Sequence, residues 1–226
     1  MVRTPITHII YDVDGLLLDT ERFYTEVTQS IVAPYGKTFD WSYKRHMIGR
    51  AALDSARYLV EALDLPITPQ EYLQQREALL QERFPEAEPL PGAQRLTEHF
   101  HAHGIPQAVA TSSSSTLFTL KTQRHQNWFK RFDCIVTGDD PEVQRGKPAP
   151  DIFLLAAQRL GAQPQQCLVF EDAPSGMQAA LAAGMSVVVV PDPNMDRGVY
   201  QPAQQILTTL HEFKPSDWGL PDLPDQ

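Results

Sequence analysis

The chain is poor in the features that would carry it to a membrane, an oxidising compartment or a nucleic acid. Its 226 residues include only two cysteines, Cys134 and Cys167. Each sits in a short apolar run of strand character, where a reduced thiol behaves as a small hydrophobe. A disulfide framework is excluded, and a reducing cytoplasm is the expected location. Long apolar runs are missing too. The longest, residues 185–190, ends at Pro191 and is far too short to cross a bilayer. The start reaches Asp12 and Asp14 before a stretch of signal-peptide length forms, so no export signal is expected. Positive charge is scarce, 19 Lys and Arg against 28 Asp and Glu, a net charge of −9. That balance repels phosphate backbones and anionic head groups, so neither nucleic acid nor membrane is an expected partner. No internal repeat is visible, and 42% hydrophobic with 21% charged residues is ordinary globular composition. The length suits one large domain, or a core carrying a smaller insert, and a monomer is expected.

What is present alternates. Residues 8–11 are β-branched and aromatic and stop at Asp12-Val13-Asp14-Gly15, a buried strand ending in carboxylates and a turn. Residues 21–32, 51–63 and 69–84 follow with helical periodicity, broken at Pro34-Tyr35-Gly36 and Leu65-Pro66, and no strand is evident among them. After Pro89-Leu90-Pro91-Gly92, helices over 93–103, 114–126, 150–160 and 175–183 alternate with strands over 106–110, 134–136, 167–170 and 187–190. Such alternation predicts an α/β fold, a Rossmann-like three-layer core with a parallel sheet. An inserted all-helical cap domain interrupts it, with the core over 1–19 and 87–226 and the insert over 20–86. The tail, 214–226, carries Pro215, Pro221 and Pro224 and is expected as irregular surface chain.

Four polar clusters recur just beyond short apolar strands: Asp12 with Asp14, Thr111 with Ser112, Lys147 in a loop, and Glu171 with Asp172. In an open parallel sheet the strand ends share one edge, where ligands bind, so the four are expected to converge. Asp12, Asp14 and Asp172 brought together require a cation, and hard oxygen ligands suit Mg²⁺. The Thr111 hydroxyl, a free N–H at Ser112 opening a helix, and the Lys147 ammonium make an anion cradle, and the anion expected is phosphate. A carboxylate attacks a phosphoryl group to give an aspartyl-phosphate, so Asp12 is the expected nucleophile. Asp14 is the expected general acid/base, protonating the leaving alkoxide and later deprotonating water.

These residues carry a resemblance. Asp12-Val13-Asp14-Gly15-Leu16-Leu17-Leu18-Asp19-Thr20-Glu21, Ala110-Thr111-Ser112-Ser113, Gly146-Lys147-Pro148-Ala149-Pro150-Asp151 and Val169-Phe170-Glu171-Asp172-Ala173-Pro174-Ser175-Gly176 resemble the four signatures of haloacid dehalogenase superfamily phosphatases, in order. The resemblance implies Asp12 as nucleophile, Asp14 as acid/base, and Thr111 and Lys147 as phosphate ligands. It implies Mg²⁺ held by Asp12, the Asp14 carbonyl and Asp172 with Glu171 close by, as ligand or as orienting group. The helical stretch matches the cap this branch inserts after the first signature. A nearer similarity, through residues 17–22, 138–148 and 168–174, is to the pseudouridine-5′-phosphatase group, whose plant relatives include glycerol-3-phosphatases. It implies a phosphomonoesterase of a small phosphorylated metabolite, pseudouridine 5′-phosphate first, with a glycerol phosphate, a sugar phosphate or a β-phosphoglucomutase-like transfer as alternatives. Glu21, Tyr24, Arg50 and Ser113 are candidates for the substrate's leaving group.

Blander readings exist for each part. An Asp-x-Asp-Gly alone is often a turn closed by an Asx bond, and a loop lysine is usually solvated. Phospho-signalling receiver modules combine similar residues but have no helical insert and place the accepting Asp on a later strand. A non-catalytic phosphoester-binding module would show a broken residue set, and this set is whole. His99, His101 and His103 spread over different helix faces with no cysteine near, which favours a solvated helix end over zinc. Trp41, Trp128 and Trp218 stand apart and are expected to pack rather than stack bases.

Overall fold

The computed structural model describes residues 4–48 and 52–224. Six strands, β1 (His8–Tyr11), β2 (Gln107–Ala110), β3 (Cys134–Val136), β4 (Cys167–Glu171), β5 (Ser186–Val189) and β6 (Gln205–Ile206), form one sheet in the order β3-β2-β1-β4-β5-β6. Every pairing is parallel. Strands covered on both faces are apolar in both, which is why the central strands read Ile-Ile-Tyr, Ala-Val-Ala, Leu-Val-Phe and Val-Val-Val without alternation. Alternate residues divide between two buried clusters. Ile9, Tyr11, Val109, Leu168 and Phe170 join one, and Ile10, Ala108, Ala110, Val169 and Val187 the other. The fold is therefore an α/β three-layer, Rossmann-like core. Tyr11 pairs with Val109 on one side and Phe170 on the other, so this register sets Asp12 beside Ala110 and Glu171 at the carboxyl edge.

Helices α1 (Glu21–Val32), α2 (Trp41–Lys44), α3 (Ala52–Ala62) and α4 (Pro69–Arg83) lie between β1 and β2. A capping box starts α4: the Thr68 hydroxyl accepts the Glu71 N–H, the Glu71 carboxylate accepts the Thr68 N–H, and Pro69 occupies the first turn. The apolar faces of these helices, through Phe23, Val27, Leu59, Tyr72, Leu80 and Phe84, join the first buried cluster. The chain leaves and re-enters the sheet layer side by side. Asp19 N–H donates to the Glu88 carbonyl (2.9 Å) and Leu90 N–H to the Leu17 carbonyl (3.0 Å). Helices α5 (Ala93–Ala102), α6 (Ser115–Thr122), α7 (Gln126–Phe129), α8 (Asp151–Leu160) and α9 (Pro174–Ala182) complete the core. No helix among the described residues is long and apolar enough to cross a membrane.

Several expectations are corrected. The helix expected over 114–126 is two, α6 and α7, because the chain bends at His125, whose ring bonds to the Ala87 carbonyl at 2.7 Å. The two-residue β6 is too short to show periodicity. The tail is packed rather than loose: Trp218 and Leu220 are 9% and 5% exposed, and the Trp218 ring lies 6.5 Å from Phe213. His99 is likewise buried, its Nε2 bonded to the Pro221 carbonyl at 2.9 Å, so it fastens the tail. His101 and His103 are exposed, as a helix end predicts. Trp128 is buried as expected, and Trp41 is half-buried with Lys44 near its ring.

Candidate active site

At the carboxyl edge of β1 and β4, the Lys147 ammonium donates to Asp12 Oδ1 (2.5 Å), Glu171 Oε1 (2.6 Å) and the Ala110 carbonyl (3.1 Å). The Glu171 Oε2 accepts the backbone N–H groups of Asp172 (3.0 Å) and Ala173 (3.1 Å). Glu171 is thus saturated by its own strand end and by Lys147, and is 1% exposed. Carboxylate oxygens of Asp12, Glu171 and Asp172 lie within 4.8 Å of one another. Close packing leaves no room for extra atoms: a Cβ on Gly176 would strike the Glu171 carboxylate, and one on Gly15, at φ 77°, would strike Asp172. Tyr200 donates to the Asp172 carbonyl at 2.7 Å.

The electrostatics follow from burial. Desolvation, only partly offset by Lys147, pushes the Asp12 carboxyl up to about 7. Burial together with Glu171, Asp12 and Glu21 lifts Asp172 well above the usual carboxylate range. Burial works against the Lys147 ammonium, yet Asp12 and Glu171 raise its pKa above that of an ordinary lysine. Three carboxylates face one ammonium, an imbalance that a hard divalent cation on this oxygen donor set removes.

The expected trio of Asp12, Asp14 and Asp172 is corrected. The third member is Glu171, because the Asp14 carboxylate is engaged elsewhere. Its Oδ1 accepts from Lys121 Nζ and Thr20 Oγ1, both at 2.6 Å, and its Oδ2 from Ser113 Oγ at 2.9 Å. Burial opposes this charge, but Lys121 and the two hydroxyls hold Asp14 below the usual carboxylate range. Lys121 was not expected. Its side chain is 0% exposed, and its ammonium also donates to Ser113 and lies 4.3 Å from the Phe84 ring. Nothing in the sequence of α6 marks Lys121 as buried, since its other buried residue is Thr122.

Around these groups is a cavity of about 660 Å³. Its floor holds Asp12, Asp14, Ser112, Ser113, Lys147 and Asp172. Ser112 does not open a helix, since α6 begins at Ser115 with the Ser114 hydroxyl capping Leu117 N–H. Thr111 is fully buried, its hydroxyl accepting the Ser113 N–H at 3.1 Å, and it does not line the cavity. The roof brings Glu21 and Tyr24 from α1, Lys44 from α2 and Arg76 from α4. Glu21 pairs with Lys44 at 3.1 Å. Arg50 lies outside the described residues. Lys44 and Arg76 were missed because nothing local marks a helix-surface cation as facing a ligand.

The fold and cavity have counterparts. A family model described as haloacid dehalogenase-like hydrolase matches residues 9–190. The chain is 50% identical to (DL)-glycerol-3-phosphatase 2 of Arabidopsis thaliana, over 99% of its own length and 95% of that protein. It is 46% identical to a probable pseudouridine-5′-phosphatase of Drosophila melanogaster, over 99% and 98% of the two chains. A crystal structure of a HAD family hydrolase from Deinococcus radiodurans R1, with bound phosphate and sodium, superposes with a TM-score of 0.81 at 26% identity, covering 98% of this chain and 99% of that one.

Proposed function

Because the chain belongs to the haloacid dehalogenase-like hydrolases and is a phosphatase acting on a small phosphorylated metabolite, we propose that it is a Mg²⁺-dependent phosphomonoesterase that works through an aspartyl-phosphate on Asp12 and prefers pseudouridine 5′-phosphate. The observation that carries the mechanism is the placement of Asp12, held by Lys147 on the floor of a cavity that Asp14 and Ser113 also line. The Asp12 carboxylate attacks phosphorus while Asp14, which must first take up a proton, passes it to the departing alkoxide oxygen. Water then attacks the acyl-phosphate, Asp14 takes its proton, and inorganic phosphate leaves with Asp12 regenerated. Lys147, Ser112 and Ser113 steady the phosphoryl oxygens, and the Thr111 hydroxyl, between the Ser113 N–H and Asp14, sets the loop that carries them. Mg²⁺, held by the carboxylates of Asp12 and Asp172 and by the Asp14 carbonyl, supplies the positive charge the floor lacks. Glu171 acts as the brace that orients Lys147. Residues 20–86 form the cap that roofs the site, and 1–19 with 87–226 the core.

The substrate reading draws on size. Glycerol phosphate has roughly half the non-hydrogen atoms of a nucleoside monophosphate, and a cavity of about 660 Å³ falls in the range for ligands of the larger kind. The Arabidopsis relative supports glycerol 3-phosphate as the second reading. Phosphate release from pseudouridine 5′-phosphate, uridine 5′-phosphate, glycerol 3-phosphate and hexose phosphates separates them. We expect pseudouridine 5′-phosphate to lead in kcat/KM by tenfold or more, and a lead by any other ester overturns that preference. The single chain builds the whole site, which supports action as a monomer. Both thiols are uncrosslinked and pushed up to about 11 by burial, which supports a reducing cytoplasm.

The metal is testable without turnover. Clustered buried carboxylates repel one another, so Asp172→Asn is expected to raise the melting temperature of the metal-free protein, by about 1–3 kcal/mol of stability. Mg²⁺ is expected to raise the melting temperature of the wild type and to have little effect on the variant. Equal Mg²⁺ shifts in both proteins would remove Asp172 from the metal site.

A further inference from the structure

One cation on the cavity roof has no carboxylate to answer it. Arg76 projects from α4 into the cavity, and among the described residues no acidic group pairs with it, whereas Lys44 on the same roof is neutralised by Glu21 at 3.1 Å. Its Nε is buried from water and has no hydrogen-bond partner. Arg83 also has a buried Nε, but that atom reaches Glu86 at 3.2 Å. A guanidinium stays charged at any physiological pH, so an unanswered buried N–H costs free energy until an acceptor arrives. The Nε itself is closed off, so a ligand acceptor meets the part of the Arg76 side chain that lines the cavity. The guanidinium carbon lies 5.9 Å from the Tyr24 ring centroid and 5.7 Å from that of Tyr72. The Tyr72 hydroxyl is engaged with Thr28 at 2.9 Å and with the Arg76 side chain, so it anchors the guanidinium, while Tyr24 lines the cavity. Arg76 thus offers a planar donor fork beside an aromatic ring of the roof.

We propose that Arg76 is a specificity-determining residue that donates to a carbonyl oxygen of a flat base on the leaving group, with that base lying against Tyr24. This deepens the substrate reading above and rests on it. Glu21 is answered by Lys44, so among the described residues Arg76 is the one roof charge left for the substrate; a second anion is the competing acceptor, and the test separates it from a base carbonyl. A polyol such as glycerol has no carbonyl to present, so the contact separates base-bearing esters from small ones. A site built to hydrogen-bond one group discriminates strongly against analogues that leave its donors unpaired.

The test is a ratio. For wild type and Arg76→Met, kcat/KM is measured with pseudouridine 5′-phosphate, glycerol 3-phosphate, ribose 5-phosphate and 2-phosphoglycolate. The ratio of the pseudouridine ester to ribose 5-phosphate is expected to fall by at least tenfold in the variant, mostly through KM. A smaller change in that ratio overturns the proposal, as does a fall confined to 2-phosphoglycolate, which would assign Arg76 to a carboxylate. If Arg76→Met does not fold, Arg76→Lys keeps the charge and removes the fork, and a fall of at least threefold in the same ratio is required. Should wild type favour glycerol 3-phosphate while the ratio still falls, the preferred substrate changes and the role of Arg76 stands.

Discussion

Asp12→Asn is expected to abolish phosphate release, by a factor on the order of 10⁴ to 10⁶ in kcat, the scale seen when a covalent nucleophile is removed. The amide is nearly isosteric, so the loss is chemical: its oxygen lacks the charge and basicity to displace an alkoxide. The fold should survive. Lys147 keeps its bonds to Glu171 (2.6 Å) and the Ala110 carbonyl (3.1 Å), and the metal-free floor loses a charge that burial already penalises. The direct measurement is rapid quench with radiolabelled substrate. Wild type should carry label on the protein as an acyl-phosphate labile to hydroxylamine, and the variant should carry none. A folded variant retaining more than about 1% of wild-type kcat would mean that water attacks phosphorus directly.

Lys121→Met carries the second large effect, because it strikes both stability and the acid/base group. The Lys121–Asp14 pair at 2.6 Å is sealed from water on the lysine side, and removing one partner of such a pair costs about 3–5 kcal/mol. Adding Asp14→Asn should restore much of that loss, since the stranded charge is then gone. In the proposed cycle Asp14 accepts a proton from water, and Lys121 favours its carboxylate form and fixes its direction. Dephosphorylation should therefore slow by about 10²-fold or more. Phosphoenzyme should accumulate, a burst of alcohol should precede a slow steady state, and kcat should become the same for alkyl and aryl esters. An unchanged kcat in a folded Lys121→Met protein would sink this role.

The sequence and the structure agree where the information is local or periodic. Each strand of the sheet's centre is a run of apolar residues terminated by a polar one. The termination points Asp12, Thr111 and Glu171 fall on one edge because parallel strands share a direction. Glu171 changed from a neighbour of the cluster to a member of it, because its two oxygens are claimed by Lys147 and by two backbone N–H groups that only the folded turn presents. Asp14 moved the other way for the same kind of reason, a partner more than a hundred positions distant along the chain. Lys121 and Arg76 sit on helices whose surface residues carry no mark of which cations face water and which face a cavity. The tail was misjudged through its prolines, which restrict a chain without keeping it from packing; Trp218 and Leu220 are the apolar residues that dock it.

The paired crossing at Leu18 and Pro89, where departing and returning chains hydrogen-bond to each other, has a consequence for lineage and engineering. The helices α1–α4 between Leu18 and Pro89 hang from a single two-stranded stem, so the ends of that segment already meet in space. Such a module can be lengthened, shrunk or exchanged for another without redrawing the sheet or moving Asp12. The stem works as a grafting point: the carboxylate floor stays with the stock, and the roof residues Glu21, Tyr24, Lys44 and Arg76 travel with the scion.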